Sequence, residues 1–171
     1  HIPGVDMSTG SLGQGVSAAV GMAISAKLSG DDYRVYTLLG DGEIQEGQVW
    51  EAAMLAAHRK LDNLVVIVDN NGLQIDGKID NSPYPIDKKF EAFRFHVINV
   101  DGHDFDALKQ AFDEARTVKG QPTAIIAKTI KGKGVSFMED QASWHGVAPN
   151  DEQYKLAMEE LEKAGEALCQ K

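Results

Sequence analysis

The sequence predicts an α/β fold: a doubly wound parallel sheet with helices on both faces. Three observations point to it. Short apolar runs at residues 34–39, 63–68, 95–100 and 123–128 have the length and β-branched content of buried strands. Segments of helical length and composition flank or separate these runs, and strands alternating with helices imply parallel pairing through crossovers. Polar and glycine clusters follow the first three runs: Gly40-Asp41-Gly42, Asp69-Asn70-Asn71-Gly72 and Asp101-Gly102-His103. In such a sheet, ligands bind beyond the carboxyl ends of the strands.

Each element can be justified in turn. Residues 14–28 are rich in Ala, Val, Met and Ile and read as a buried helix, opened by Gly13 and Gly15 and closed by Gly30. Residues 34–39 read as a buried strand. Residues 45–61 read as a helix with Val49, Trp50, Ala53, Met54, Ala57 and Leu61 on one face. Residues 63–68 carry Val65, Val66, Ile67 and Val68 and read as the second buried strand. Gly72, Gly77, Pro83 and Pro85 mark residues 72–87 as a long loop, followed by a short helix at 88–93. A third strand at 95–100 leads to a helix at 105–118 capped by Asp104. A fourth strand at 123–128 leads to a glycine-bearing loop containing His145. Asn150 or Asp151 caps a last helix that runs to about residue 167.

The totals bound the function. The chain has 171 residues, enough for one domain with a sizeable core, and residues 1–171 are read as a single domain. Its net charge of −9 opposes nonspecific binding to nucleic acid or to an acidic membrane surface. An anionic ligand therefore needs local help from backbone N–H groups or a metal ion. Cys169 is the single cysteine, so an internal disulfide and a cysteine-based zinc site are both excluded. With no signal peptide and no span of apolar residues long enough to cross a bilayer, a cytoplasmic location is expected. The chain begins His1-Ile2-Pro3-Gly4 without a methionine and reads like the interior of a longer chain, its fold lacking its first units.

Asp41 and Asn71 stand 30 positions apart, about one βαβ unit, each just beyond a strand. Consecutive parallel strands often lie side by side, which lets the two side chains converge. A carboxylate and an amide oxygen are hard donors suited to Mg²⁺ or Ca²⁺, in a site completed by phosphate and water. Gly42, at a strand–helix junction, permits close backbone approach, and its N–H is suited to a phosphate. Taken singly, Gly-Asp-Gly and Asn71-Gly72 are ordinary turn sequences. Their paired spacing raises the metal–phosphate reading above the turn reading.

Gly40-Asp41-Gly42 followed by Asn71 resembles the cofactor motif of thiamine diphosphate-dependent enzymes. The wider stretches "STGSLGQGVSAAVGMA", "GDGEIQEGQVWEAAMLAAHRKLDNLVVIVDNNGLQIDG" and "ASWHGVAP" look like transketolase, and in particular the N-terminal subunit of split transketolases. The resemblance covers nearly the whole chain. It implies the thiamine diphosphate-binding fold, also called the pyrophosphate-binding domain. It implies Asp41 and Asn71 as metal ligands through side-chain oxygens, with Leu73 contributing its backbone carbonyl, and thiamine diphosphate with Mg²⁺ or Ca²⁺ as cofactors. Gly42 would contact the diphosphate, and Gly10, Ser11 and Leu12 would line the thiamine rings, Leu12 as an apolar contact. His145 would reach the cofactor phosphate and the substrate. Glu46 would join an acidic network between subunits.

The implied reaction is transfer of a two-carbon ketol group from a ketose phosphate to an aldose phosphate, as in the pentose phosphate pathway. It requires a C-terminal, pyrimidine-binding partner subunit in a homo- or hetero-oligomer, and the chain alone is expected to be inactive. His1 does not match the family's upstream histidine, and Lys171 as the end fits a split subunit. The alternatives are another thiamine enzyme, such as deoxyxylulose-phosphate synthase, or a noncatalytic cofactor-binding subunit. In this reading His103 belongs to a loop and helix cap, His58 and His96 are structural or surface residues, and Trp50 and Trp144 are packing residues.

Overall fold

Alternation of side chains along a strand lets one run of Val, Leu and Ile feed two cores, and the chain uses this throughout. The computed structural model describes residues 2–79 and 83–169; His1 and Lys171 lie outside them. The chain divides into two compact units: residues 1–70 with 81–128, and residues 71–80 with 129–171.

The first unit holds a parallel sheet of β1 (Val35–Gly40), β2 (Leu64–Asn70), β5 (His96–Asp101) and β6 (Thr123–Lys128), in the order β1-β2-β6-β5. The register pairs Gly40 with Asp69, Asp69 with Ala127, and Asp101 with Lys128, so the carboxyl ends of all four strands share one rim. Leu64, Val66 and Val68 of β2 face one core with Leu39, Ala124 and Ile126. Covering them are α1 (Gln14–Ser29), α2 (Gly47–His58) and α3 (Ile86–Ala92), through Val16, Ala19, Val20, Ala23, Val49, Ala53, Ala56 and Phe90. The other face of β2 presents Val65, which packs with Ile125 against Ala111 and Ala115 of α4 (Phe105–Thr117). Burying one such aliphatic side chain contributes roughly 1.5–3 kcal/mol. Helices on both faces of a parallel sheet make this a doubly wound α/β architecture, as the alternation of elements predicts.

Several local expectations change. β1 is not a buried strand. It pairs only with β2 among the described residues, and its burial alternates: Leu39 is 1% exposed, while Leu38 is 69% exposed. The helix expected over 45–61 is split. A 3-10 turn at Glu43–Gln45 precedes α2, and α2 ends where Lys60 takes a φ of 51°. That left-handed turn drops Leu61, 1% exposed, into the core. Met54 lies at the surface, whereas Val49 and Ala53 of the expected face are buried together with Ala52 and Ala56. Trp50 packs as expected, its ring 5.1 Å from Phe90 and 5.3 Å from Phe93.

The second unit begins inside the expected long loop. β3 (Leu73–Gln74) and β4 (Gly77–Lys78) form a small antiparallel hairpin. The chain from residue 129 then runs through a 3-10 turn at Ala142–Trp144 to α5 (Asp151–Cys169). Asn150 caps α5 in a reciprocal box: its Oδ1 accepts from the Gln153 N–H and its N–H donates to Gln153 Oε1, both at 2.9 Å. Among the described residues, no helix is long and apolar enough to cross a membrane.

Candidate functional site

The parallel ladder runs one residue past β1: the Asp41 N–H donates to the Asp69 carbonyl at 3.1 Å. This ties the main chain of Asp41 to the rim of the sheet. The residue is only 1% exposed, and its Oδ1 accepts the Gly42 N–H at 2.9 Å. Tyr84, in the loop before α3, also bears on this carboxylate. Burial first, and then the charge of Asp41 and a hydrogen bond to it, push the Tyr84 phenol above its ordinary value. The Tyr84 hydroxyl also lies 2.9 Å from Asn70 Oδ1, so its single proton is shared between two acceptors.

Burying an ionised carboxylate is expensive unless charge or hydrogen bonds compensate it. The Gly42 N–H and the Tyr84 hydroxyl are neutral donors to this carboxylate, and a cation on the same oxygens would add charge compensation. The donor chemistry therefore fits a hard divalent ion. Gly42 itself has φ −64° and ψ −41°, a conformation open to any residue, so glycine is not required there by backbone strain. Its N–H, which the sequence reading gives to a diphosphate, is engaged by Asp41 in this state.

The requirement for glycine falls at Gly13, where α1 begins. Its φ is 81°, and a Cβ there would stand 3.1 Å from Glu46 Cβ. The Gly13 N–H donates to Glu43 Oε1 at 2.9 Å, and the Gly40 N–H donates to Glu43 Oε2 at 3.1 Å. One carboxylate thus joins the 10–13 segment to the 40–42 turn. Gly10, Ser11 and Leu12 sit exposed just before α1, with Leu12 58% exposed and the Ser11 carbonyl accepting the Gln14 N–H. Glu46 is exposed at the start of α2 and makes no side-chain cap to it. Within the first unit, Glu43 therefore ties the start of α1 to the turn that carries Asp41 and Gly42.

Asn71, Leu73 and His145 belong to the second unit. Asn71 Oδ1 accepts the Leu73 N–H at 3.0 Å across Gly72, whose φ is 78°. An amide oxygen carries two lone pairs, so this bond leaves acceptor capacity for a cation. Leu73 is 6% exposed, so its apolar side chain is buried within the hairpin strand. His145 is exposed, and its N–H donates to the Ala142 carbonyl at 2.9 Å. Its neighbour Trp144 anchors the loop, donating Nε1–H to the Phe137 carbonyl at 3.0 Å with the two rings 5.4 Å apart.

Other polar residues have structural partners. Asp104 caps α4, accepting from the Asp106 and Ala107 N–H groups, and the His103 N–H donates to Asp101 Oδ1. His96 pairs with Glu114 at 2.6 Å. Among the described residues, no group of three or more His, Cys, Asp or Glu is placed to hold a metal. The expected donor set is of another kind: one carboxylate, one amide and one main-chain carbonyl. Sequence reasoning missed Glu43 and Tyr84. The position of Glu43 directly after Gly42 was a usable signal, whereas Tyr84 lies between two prolines and carried none.

Comparison with known proteins places the chain in context. Residues 1–165 match the family described as transketolase, thiamine diphosphate binding domain. The 6-deoxy-6-sulfo-D-fructose transketolase subunit SqwG of Clostridium sp. is 46% identical over 164 residues, covering 95% of this chain and 60% of that protein. An apulose-4-phosphate transketolase subunit of Phocaeicola vulgatus is 41% identical over 170 residues, covering 98% of this chain and 60% of that protein. A crystal structure of Campylobacter jejuni transketolase superposes with a TM-score of 0.86 at 38% identity, over 91% of this chain and 26% of that one. The chain thus spans about 60% of the length of these two subunits and about a quarter of the Campylobacter jejuni transketolase chain.

Proposed function

Because this chain belongs to the transketolase family, as its thiamine diphosphate-binding domain, we propose that it is the cofactor-holding part of a split transketolase acting on sugar phosphates in the cytoplasm. The reaction is transfer of a two-carbon ketol group from a ketose phosphate to an aldose phosphate. The observation that carries the proposal is Asp41: a carboxylate 1% exposed at the carboxyl end of a parallel strand, inside the family's Gly-Asp-Gly motif. Relatives named as subunits support the need for a second chain, and we assign that chain the pyrimidine-binding role.

In this reading Asp41, Asn71 and the Leu73 carbonyl hold Mg²⁺ or Ca²⁺, and the Gly42 N–H faces the diphosphate. If Asp41 exchanges the Gly42 N–H for a cation, that N–H is left for a phosphate oxygen. Gly10, Ser11 and Leu12 lie against the thiamine rings, where an exposed leucine gains by being covered. His145, exposed on its loop, donates hydrogen bonds to the cofactor phosphate and to substrate. Glu46 joins the acidic contacts with the partner. Thiamine diphosphate, when bound, supplies the chemistry that breaks and forms the carbon–carbon bond. The chain alone is inactive, because the group that activates the ring is the partner's to supply.

Calorimetry of the assembled enzyme with thiamine diphosphate and Mg²⁺ tests this. Metal-dependent binding is expected; its absence with the partner present sinks the proposal.

A further inference from the structure

We infer that Glu43 is the positioning residue that fixes the separation between the segment that meets the thiamine rings and the turn that meets the diphosphate. The inference rests on the cofactor reading above and adds a residue to it. The two segments lie 30 positions apart at Gly13 and Glu43, and they meet through both oxygens of one side chain. Oε1 accepts from Gly13 at 2.9 Å and Oε2 accepts from Gly40 at 3.1 Å. Gly13 opens α1, so the carboxylate also sits favourably at the positive end of that helix. The contact is close on a second side, since a Cβ on Gly13 would stand only 3.1 Å from Glu46 Cβ.

The geometry demands a carboxylate in particular. The two main-chain N–H groups are met by two different oxygens, and glutamine would turn its NH2, a donor, toward one of them. Aspartate is one methylene shorter, and both bonds depend on the present reach. Glu43 is itself negative, so a mere charge effect on an anionic ligand has the opposite sign to a positioning effect. Removing the charge would help a diphosphate bind, whereas losing the positioning would harm only a ligand that touches both segments.

The test titrates wild type, Glu43→Gln and Glu43→Asp in the assembled enzyme at saturating Mg²⁺, once with thiamine diphosphate and once with inorganic diphosphate. For both variants the Kd for thiamine diphosphate should rise by about tenfold or more, the effect of one lost charge-assisted hydrogen bond. The Kd for inorganic diphosphate should stay within about threefold of wild type, or fall for Glu43→Gln as a like charge is removed. Equal weakening for both ligands overturns the inference, because Glu43 would then act on the diphosphate end or on the fold. Unchanged affinity for thiamine diphosphate overturns it as well. If wild type itself ignores thiamine diphosphate, the cofactor reading falls and takes this inference with it, a result distinct from wild type and variants binding alike.

Discussion

The hydroxyl of Tyr84 donates to Asn70 Oδ1 at 2.9 Å, joining the loop before α3 to the last residue of β2. The same phenol lies against the buried Asp41, whose charge helps hold it protonated. Tyr84→Phe removes the hydroxyl and keeps the ring. The variant should lose about 1 kcal/mol of stability, the usual net worth of one hydroxyl proton shared between two acceptors, read from its urea midpoint. A midpoint equal to wild type would mean that the contact contributes nothing to stability.

Asp41 should oppose folding while serving the cofactor. Asp41→Asn keeps an acceptor for the Gly42 N–H and removes the buried charge. Without metal the variant should be as stable as wild type or more so, by about 1 kcal/mol. Its affinity for thiamine diphosphate with Mg²⁺ should fall at least about 100-fold. Thermal denaturation without metal and calorimetry with it give the two readings. A variant that is less stable without metal and binds normally would contradict both.

Two glycines in or beside α1 should respond in opposite directions. Gly13→Ala places a Cβ 3.1 Å from Glu46 Cβ at a φ of 81°, and should cost about 1–3 kcal/mol. Gly21→Ala meets nothing within 4 Å on the exposed side of the helix, and should add about 0.5–1 kcal/mol through helix propensity. Chemical denaturation of the two variants side by side checks the sign of each.

Asp62 gives the fold an acid-sensitive tie. Burial pushes its carboxyl up, but the Gly120 N–H, the Lys27 ammonium at 2.7 Å and the charge of Lys119 outweigh burial and hold it below the usual carboxylate range. A carboxyl depressed in the folded state stabilises the protein above its unfolded value, and that contribution is lost as pH falls through the folded value. Asp62→Asn should therefore lower stability at neutral pH and flatten its decline below about pH 4. Parallel acid limbs for variant and wild type would show that Asp62 does not contribute.

What the sequence revealed follows from the range of each interaction. The core of β2 was legible because Val65, Val66, Ile67 and Val68 stand consecutively. The caps of α4 and α5 were legible because Asp104 and Asn150 bond within three residues of themselves. Asp41 stood out because a lone carboxylate between glycines interrupts an apolar run. The exposure of β1 was not legible, since an apolar run does not reveal how many strands flank it. The hairpin at Leu73–Lys78 was hidden by strands of two residues, too short to show alternation. Arg34 reads locally as the start of a strand, yet it donates to the Asp62 and Arg116 carbonyls at 2.9 Å, contacts that only tertiary structure creates. Glu43 and Tyr84 belong to the same class: their partners are set by the fold.

The alternating burial of β1 also governs how the chain behaves in a tube. Unpaired strand edges with apolar side chains are templates for self-association. Here Leu38 presents 69% of its surface on β1, which pairs only with β2 among the described residues, and a net charge of −9 opposes the approach of a second copy. Acidification discharges that repulsion and leaves the edge as sticky as before. Colloidal stability should therefore fail on the acid side before the fold does, and Leu38→Lys should postpone precipitation.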